Sequence, residues 1–82
     1  MQMNLTKTSI IYSQENCPAC MQAKALLESY GYTVEERKIS ADGQWTKKLL
    51  LDAVPNARSV PQIFVDGVYV GGIAQLRILL TT

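Results

Sequence analysis

The apolar run Ser9-Ile10-Ile11-Tyr12-Ser13, β-branched and aromatic at its centre, predicts a short buried strand. Polar Gln14-Glu15-Asn16 then form a loop that leads directly into Cys17-Pro18-Ala19-Cys20. Residues 18–30 favour helix, being rich in Ala, Met, Gln, Lys, Leu and Glu. Ala23, Leu26, Leu27 and Tyr30 fall at the spacing of one buried helical face, and Gly31 is placed to stop that helix in a left-handed conformation. Residues 33–39 predict a second strand, although Glu35 and Glu36 blur its alternation. After the Asp42-Gly43 turn, residues 45–53 read as a second helix with Trp45, Leu49, Leu50 and Ala53 as its buried face, ended by Pro55 and Asn56. Residues 60–65 predict a third strand. Asp66-Gly67 is a two-residue hairpin signal, and Val68-Tyr69-Val70 returns as the partner strand. Gly71-Gly72 lead to a last helix over residues 73–80.

The order is therefore β-α-β-α-β-β-α. A right-handed crossover makes the first two strands parallel, and the hairpin adds an antiparallel pair. The expected architecture is an α/β domain, a four-stranded mixed sheet flanked by three helices, with residues 1–82 forming a single domain. Composition sharpens this. With 82 residues and 48% apolar content the chain can fill one core, near the lower size limit for folding by burial alone. The two cysteines lie too close in sequence for a bond between them to restrain the unfolded chain, so they are a poor structural staple.

Charge excludes some classes of function. Eight Lys plus Arg against seven Asp plus Glu give +1, and the basic residues are scattered, so neither a nucleic-acid face nor a membrane-surface helix is expected. The first seven residues lack the apolar core of a signal peptide, and stretches such as Leu49-Leu50-Leu51 are too short to span a bilayer. The expected compartment is the cytoplasm, which is reducing; there a close cysteine pair means redox catalysis or metal binding.

Position separates those two meanings. Cys17 falls where strand and loop give way to a helix, so the unpaired N–H groups of the first turn favour negative charge on its sulfur. Pro18 suits the first helical position, since its missing N–H is no loss there. Cys20, nearly one turn further on, can approach Cys17 and should be the less exposed. Cys17 is thus the expected attacking thiolate, and Cys20 the resolving thiol that releases the reduced substrate. A zinc site needs more Cys or His ligands, and the chain has no histidine, so no metal is expected. Two inert packed thiols are the bland alternative.

At this point the chain resembles the glutaredoxin family over nearly its whole length. Ile11-Tyr12-Ser13 with Cys17-Pro18-Ala19-Cys20 resembles the family's first strand and C-P-Y-C site. Ala57-Arg58-Ser59-Val60-Pro61-Gln62-Ile63-Phe64-Val65-Asp66-Gly67 resembles its R-T-V-P-Q-I-F-I-D-G segment, and Gly71-Gly72 its G-G turn. The resemblance is to short dithiol members of bacteria and their phages. It implies a thioredoxin fold and a thiol–disulfide oxidoreductase that reduces protein disulfides and glutathione mixed disulfides, with no tightly bound cofactor and glutathione as reductant. Implied site residues are Cys17, Cys20 and Pro18 for the chemistry. Tyr12, Arg58, Val60, Pro61, Gly71, Gly72, Ile73 and Ala74 are implied for binding substrate or glutathione. The resemblance also implies a cis bond at Val60-Pro61, a monomer, ribonucleotide reductase as one partner, and the host cytoplasm as location if the chain is phage-encoded.

Three departures from the family pattern stand out. Ala19 replaces the usual tyrosine between the cysteines, Gln14 stands where many members have lysine, and Ala74 and Gln75 replace the acids that receive glutathione's ammonium group. Lys47, Lys48 and Arg58 remain as candidates to meet its glycyl carboxylate, or as solvated surface charges. These departures keep two alternatives open: a protein recharged by a thioredoxin reductase, and a glutathione-assisted iron–sulfur cluster-binding dimer. Trp45 is open between helix core and partner contact.

Overall fold

A computed structural model describes residues 7–82; the N-terminal stretch read above for a signal peptide lies, over residues 1–6, outside the described residues. Seven elements follow in the expected order: β1 (Thr8–Ser13), α1 (Pro18–Ser29), β2 (Thr33–Lys38), α2 (Lys47–Ala53), β3 (Gln62–Val65), β4 (Val68–Gly71) and α3 (Ile73–Thr81). They build a thioredoxin-like fold, with sheet order β2-β1-β3-β4. β1 pairs parallel with β2, and antiparallel with β3, which pairs antiparallel with β4. Among the described residues, no helix is long and apolar enough to cross a membrane.

Strand periodicity sorts the core onto two faces. Ile11, Ile63 and Val65 point to one side, where they bury with Ala23 and Leu27 of α1 and Leu76 of α3. Tyr12 points to the other, where it buries with Leu50 and Val54 beside the partly buried Ile10, Trp45 and Phe64. Helices α1 and α3 thus cover one face and α2 the other. The same alternation accounts for the charges of β2, which is an edge strand. Glu36 faces α1 and meets Lys24 at 3.4 Å, while Glu35 and Arg37 share the opposite face.

The turns follow local chemistry. Helix α1 ends in a Schellman motif: the Tyr32 N–H donates to Leu27 O and the Gly31 N–H to Glu28 O, both at 3.0 Å, with Gly31 at φ +86°. Asp66 and Gly67 both take positive φ, at 51° and 83°, as a two-residue hairpin of this twist requires.

Three sequence expectations need correction. Tyr30 does not join the buried face of α1; it is the cap residue after the last turn and is exposed. Trp45 is not in α2, because the Thr46 hydroxyl accepts the Leu49 N–H at 3.4 Å and caps the helix one residue later. Trp45 instead forms a parallel bridge with Ile39. With Trp45 outside the helix its spacing no longer marks the buried face: Leu49 and Ala53 are exposed while Leu50 and Val54 are buried. Finally, β3 begins at Gln62 and not at Val60, since Pro61 has no N–H to give to a ladder.

Where β1 ends, its last side chain is tied down. The buried Ser13 hydroxyl donates to Glu36 Oε2 at 2.7 Å. That bond holds the Glu36 carboxyl below its ordinary pKa; partial burial opposes it, and Lys24 and Lys38 reinforce it. A lowered folded-state pKa stabilises fully above the unfolded carboxyl value, and the contribution is lost as pH falls through the folded one. Urea midpoints of wild type and Glu36→Gln, followed from about pH 6 down to about pH 3, are expected to converge on acidification. Parallel curves would assign the acid sensitivity elsewhere.

Candidate active site

The loop from Ser13 delivers Cys17 to the start of α1 as its N-cap residue, with Pro18 at the first helical position. Asn16 takes φ 55° to make that approach. Cys17 and Cys20 are joined as a disulfide across one helical turn, their Cα atoms 5.2 Å apart. Both are buried, with Cys17 at 8% exposure and Cys20 at 3%, so Cys17 is the more accessible of the two residues. The Cys20 N–H points at Cys17 Sγ at 3.1 Å. A backbone donor aimed at a sulfur on the positive end of a helix favours its thiolate once the bond is reduced.

Two hollows flank the segment that carries the pair, one reaching Ala19 between the cysteines and the other Gln14 in the loop before them. A groove of about 600 Å³ runs from Ala19 past Val60 and Pro61 to Gly71, Gly72 and the first turn of α3, where Ile73 and Ala74 line it. The Val60-Pro61 bond is cis, as the family resemblance implied. Gly71 takes φ +121°, and a Cβ there would meet Gln75 Oε1 at 3.1 Å, so the turn requires glycine. The Gln75 carboxamide oxygen accepts the Gly72 N–H at 2.9 Å. A second cleft, of about 750 Å³, lies between Gln14, the start of α2 and the segment before Pro61; Lys47 and Arg58 are its basic residues. Val60 lines both hollows.

Tyr12 lies in neither lining. Its ring is buried under the second cleft, within the cluster of Leu50 and Val54, and its hydroxyl accepts from Arg37 Nη1 at 2.7 Å. Sequence reasoning passed over Gln62, which is buried at the groove with its Nε2 donating to Ser59 O at 2.7 Å and its Oε1 accepting from Tyr69 at 2.5 Å. The signal for it was a polar residue between two apolar ones at a strand start. Among the described residues no group of three or more His, Cys, Asp or Glu gathers as a metal site.

The glutaredoxin family model matches residues 10–70, most of the sheet together with the cysteine pair. This chain belongs to the glutaredoxin family. Glutaredoxin 1 of Rickettsia felis is 38% identical over 72 residues, 88% of this chain and 71% of that one. Glutaredoxin 3 of Escherichia coli is 41% identical over 69 residues, 84% of this chain and 81% of that one. Among solved structures, glutaredoxin 1 from Francisella tularensis, complexed with cacodylate, superposes with a TM-score of 0.75 at 26% identity, covering 92% of this chain and 93% of that one. As a glutaredoxin, the chain is a thiol–disulfide oxidoreductase with a redox-active pair at Cys17 and Cys20. Glutaredoxins use glutathione as reductant and need no tightly bound cofactor.

Proposed function

We infer that this glutaredoxin reduces protein disulfides and glutathione mixed disulfides, with glutathione as its own reductant. The observation that carries this reading is the groove, free of charged residues in its lining, that runs from Ala19, between the two cysteines, to Pro61 and the Gly71-Gly72 turn. A tripeptide thiol laid there would bring its sulfur to Cys17, its backbone to Val60 and its γ-glutamyl carboxylate to the first-turn N–H groups of Ile73 and Ala74. Lys47 and Arg58 stand in the neighbouring cleft to meet the other carboxylate.

In the reaction the Cys17 thiolate attacks one sulfur of the substrate disulfide, forming a mixed disulfide and expelling the other sulfur as a thiolate, which takes up a proton. Cys20, deprotonated, then attacks Cys17 Sγ, releasing the second substrate thiol and leaving the Cys17–Cys20 disulfide. Two electrons have moved to the substrate. Two glutathione thiols then give two electrons to the Cys17–Cys20 disulfide in two exchanges, restoring both protein thiols and leaving as glutathione disulfide. Pro18 holds the helix start on which the thiolate depends. A ribonucleotide reductase disulfide is one substrate of the right chemistry, and a monomer in the cytoplasm is the working form.

The Gln75–Gly72 bond favours a second reading, because one donor at the α3 turn is already occupied and no acid stands at residues 74 and 75. In that reading a thioredoxin reductase recharges the same disulfide. The two are separated by following NADPH consumption on a glutathione mixed disulfide with either glutathione plus glutathione reductase or thioredoxin reductase alone. Turnover in the first system is expected; turnover confined to the second would transfer the reductant role.

A further inference from the structure

Arg37 is an unusual occupant of an edge strand. Instead of extending into solvent, its side chain is four-fifths covered (21% exposed) and folds back along the sheet. Its guanidinium lies 4.2 Å from the centre of the Trp45 ring and 5.4 Å from that of Tyr12. Nη1 donates to the Tyr12 hydroxyl at 2.7 Å and Nε to Glu35 Oε2 at 2.6 Å. Tyr12 and Trp45 themselves meet edge-on, with centroids 6.0 Å apart. Burial works against the charge on Arg37, yet Glu35 and Tyr12 together keep it above the ordinary guanidinium range.

What this clamp holds is the beginning of α2. No strand ladder ties α2 to the sheet. The backbone link at its start is the Ile39–Trp45 bridge, with the Ser40 N–H donating to Trp45 O at 2.9 Å. Thr46, the next residue, caps the helix, and Lys47, which follows, is a wall of the basic cleft together with Leu50 and Leu51. Tyr12, under Arg37, belongs to the cluster whose members Leu50, Ile39 and Val60 also line that cleft. One guanidinium therefore bears on both the wall and the floor.

We propose that Arg37 is a positioning residue for the thiol co-substrate: by pinning Trp45 over Tyr12 it sets the place of Lys47 and the α2 wall relative to Arg58. The inference rests on glutathione being the reductant. It does not place Arg37 in contact with substrate, and it leaves the cysteine chemistry to Cys17 and Cys20. A cation packed over the Trp45 ring and forked to two acceptors is a demand lysine does not meet, since its ammonium is compact and has no planar fork.

The test compares wild type, Arg37→Met and Arg37→Lys in steady-state turnover driven by glutathione, and in insulin reduction driven by dithiothreitol, which has no carboxylates to seat. Arg37→Met is expected to raise KM for glutathione about tenfold with kcat nearly unchanged, and to keep the dithiothreitol rate. Arg37→Lys should recover little of that KM. Emission of Trp45, the sole tryptophan, should shift to the red and quench more readily in both variants. An unchanged KM, or equal losses with both reductants, would overturn the positioning role, as would full recovery by lysine, which would make charge alone sufficient. A wild type that works with dithiothreitol but not glutathione would overturn the reductant assignment and this inference with it.

Discussion

Cys17→Ser is expected to abolish disulfide reduction completely, with glutathione or dithiothreitol as the electron source. A serine hydroxyl at the helix start is neither ionised at neutral pH nor able to form a disulfide, so the first exchange has no nucleophile. The fold should survive, because serine is itself a favoured N-cap residue and can accept the Cys20 N–H in place of sulfur. Cys20→Ser should behave differently. Glutathione mixed disulfides need only Cys17, since a second glutathione can resolve the intermediate, whereas a protein disulfide held at Cys17 has lost its internal competitor. Retained turnover on a small mixed disulfide, with insulin reduction reduced to background, is the expected pair of results. Activity surviving in Cys17→Ser would remove the pair from the mechanism; equal loss of both activities in Cys20→Ser would remove the division of labour between the cysteines.

The largest effect on stability is expected from Leu27→Ala. Leu27, on α1, is fully buried against the sheet and α3, and its neighbours Ile11, Ile63 and Leu76 are equally enclosed. Truncation at such a site costs about 2–5 kcal/mol through lost transfer energy and a cavity that close-packed neighbours cannot fill. A domain of this size has about 4–12 kcal/mol of stability in all, so Tm should fall by about 10–30 °C. Leu49→Ala supplies the contrast within the same molecule. Leu49 is 39% exposed on α2, and the same substitution there should change stability by about 0.5 kcal/mol or less. Thermal unfolding of the two variants side by side reads both numbers; similar losses would mean that α2 packs more tightly than its exposed face shows.

That contrast also marks where the sequence was informative. The order of elements, the mixed sheet and the hairpin turn were legible because periodicity and turn chemistry are local. Leu49 was misplaced because the buried face was counted from Trp45, and knowing that Trp45 stands outside the helix requires its bridge to Ile39, a contact made only after the strands are in place. Tyr30 followed the α1 spacing but fell beyond the last turn, where the Schellman bonds redirect the chain. Cys17 and Cys20 were readable from their junction. The groove was readable only through family resemblance, since nothing local brings Pro61 and Gly71 beside Ala19. Arg37 was invisible: its meaning lies in the register that sets it against Tyr12, and in sequence it is one charge among several on a polar strand.

Sheet order matters to the chain while it is being made. A ribosome releases β1, α1 and β2 before β3, and β1 and β2 can pair across α1 without the rest of the sheet. Yet β1 is an inner strand, and its other edge stays bare until β3 emerges to cover Ile11 and Tyr12. Until then the thiols exist without Pro61 or the Gly71 turn beside them. A nascent chain therefore carries reactive cysteines before it has any means of choosing their partners. The uncovered edge of β1 is where a stalled or truncated product would aggregate.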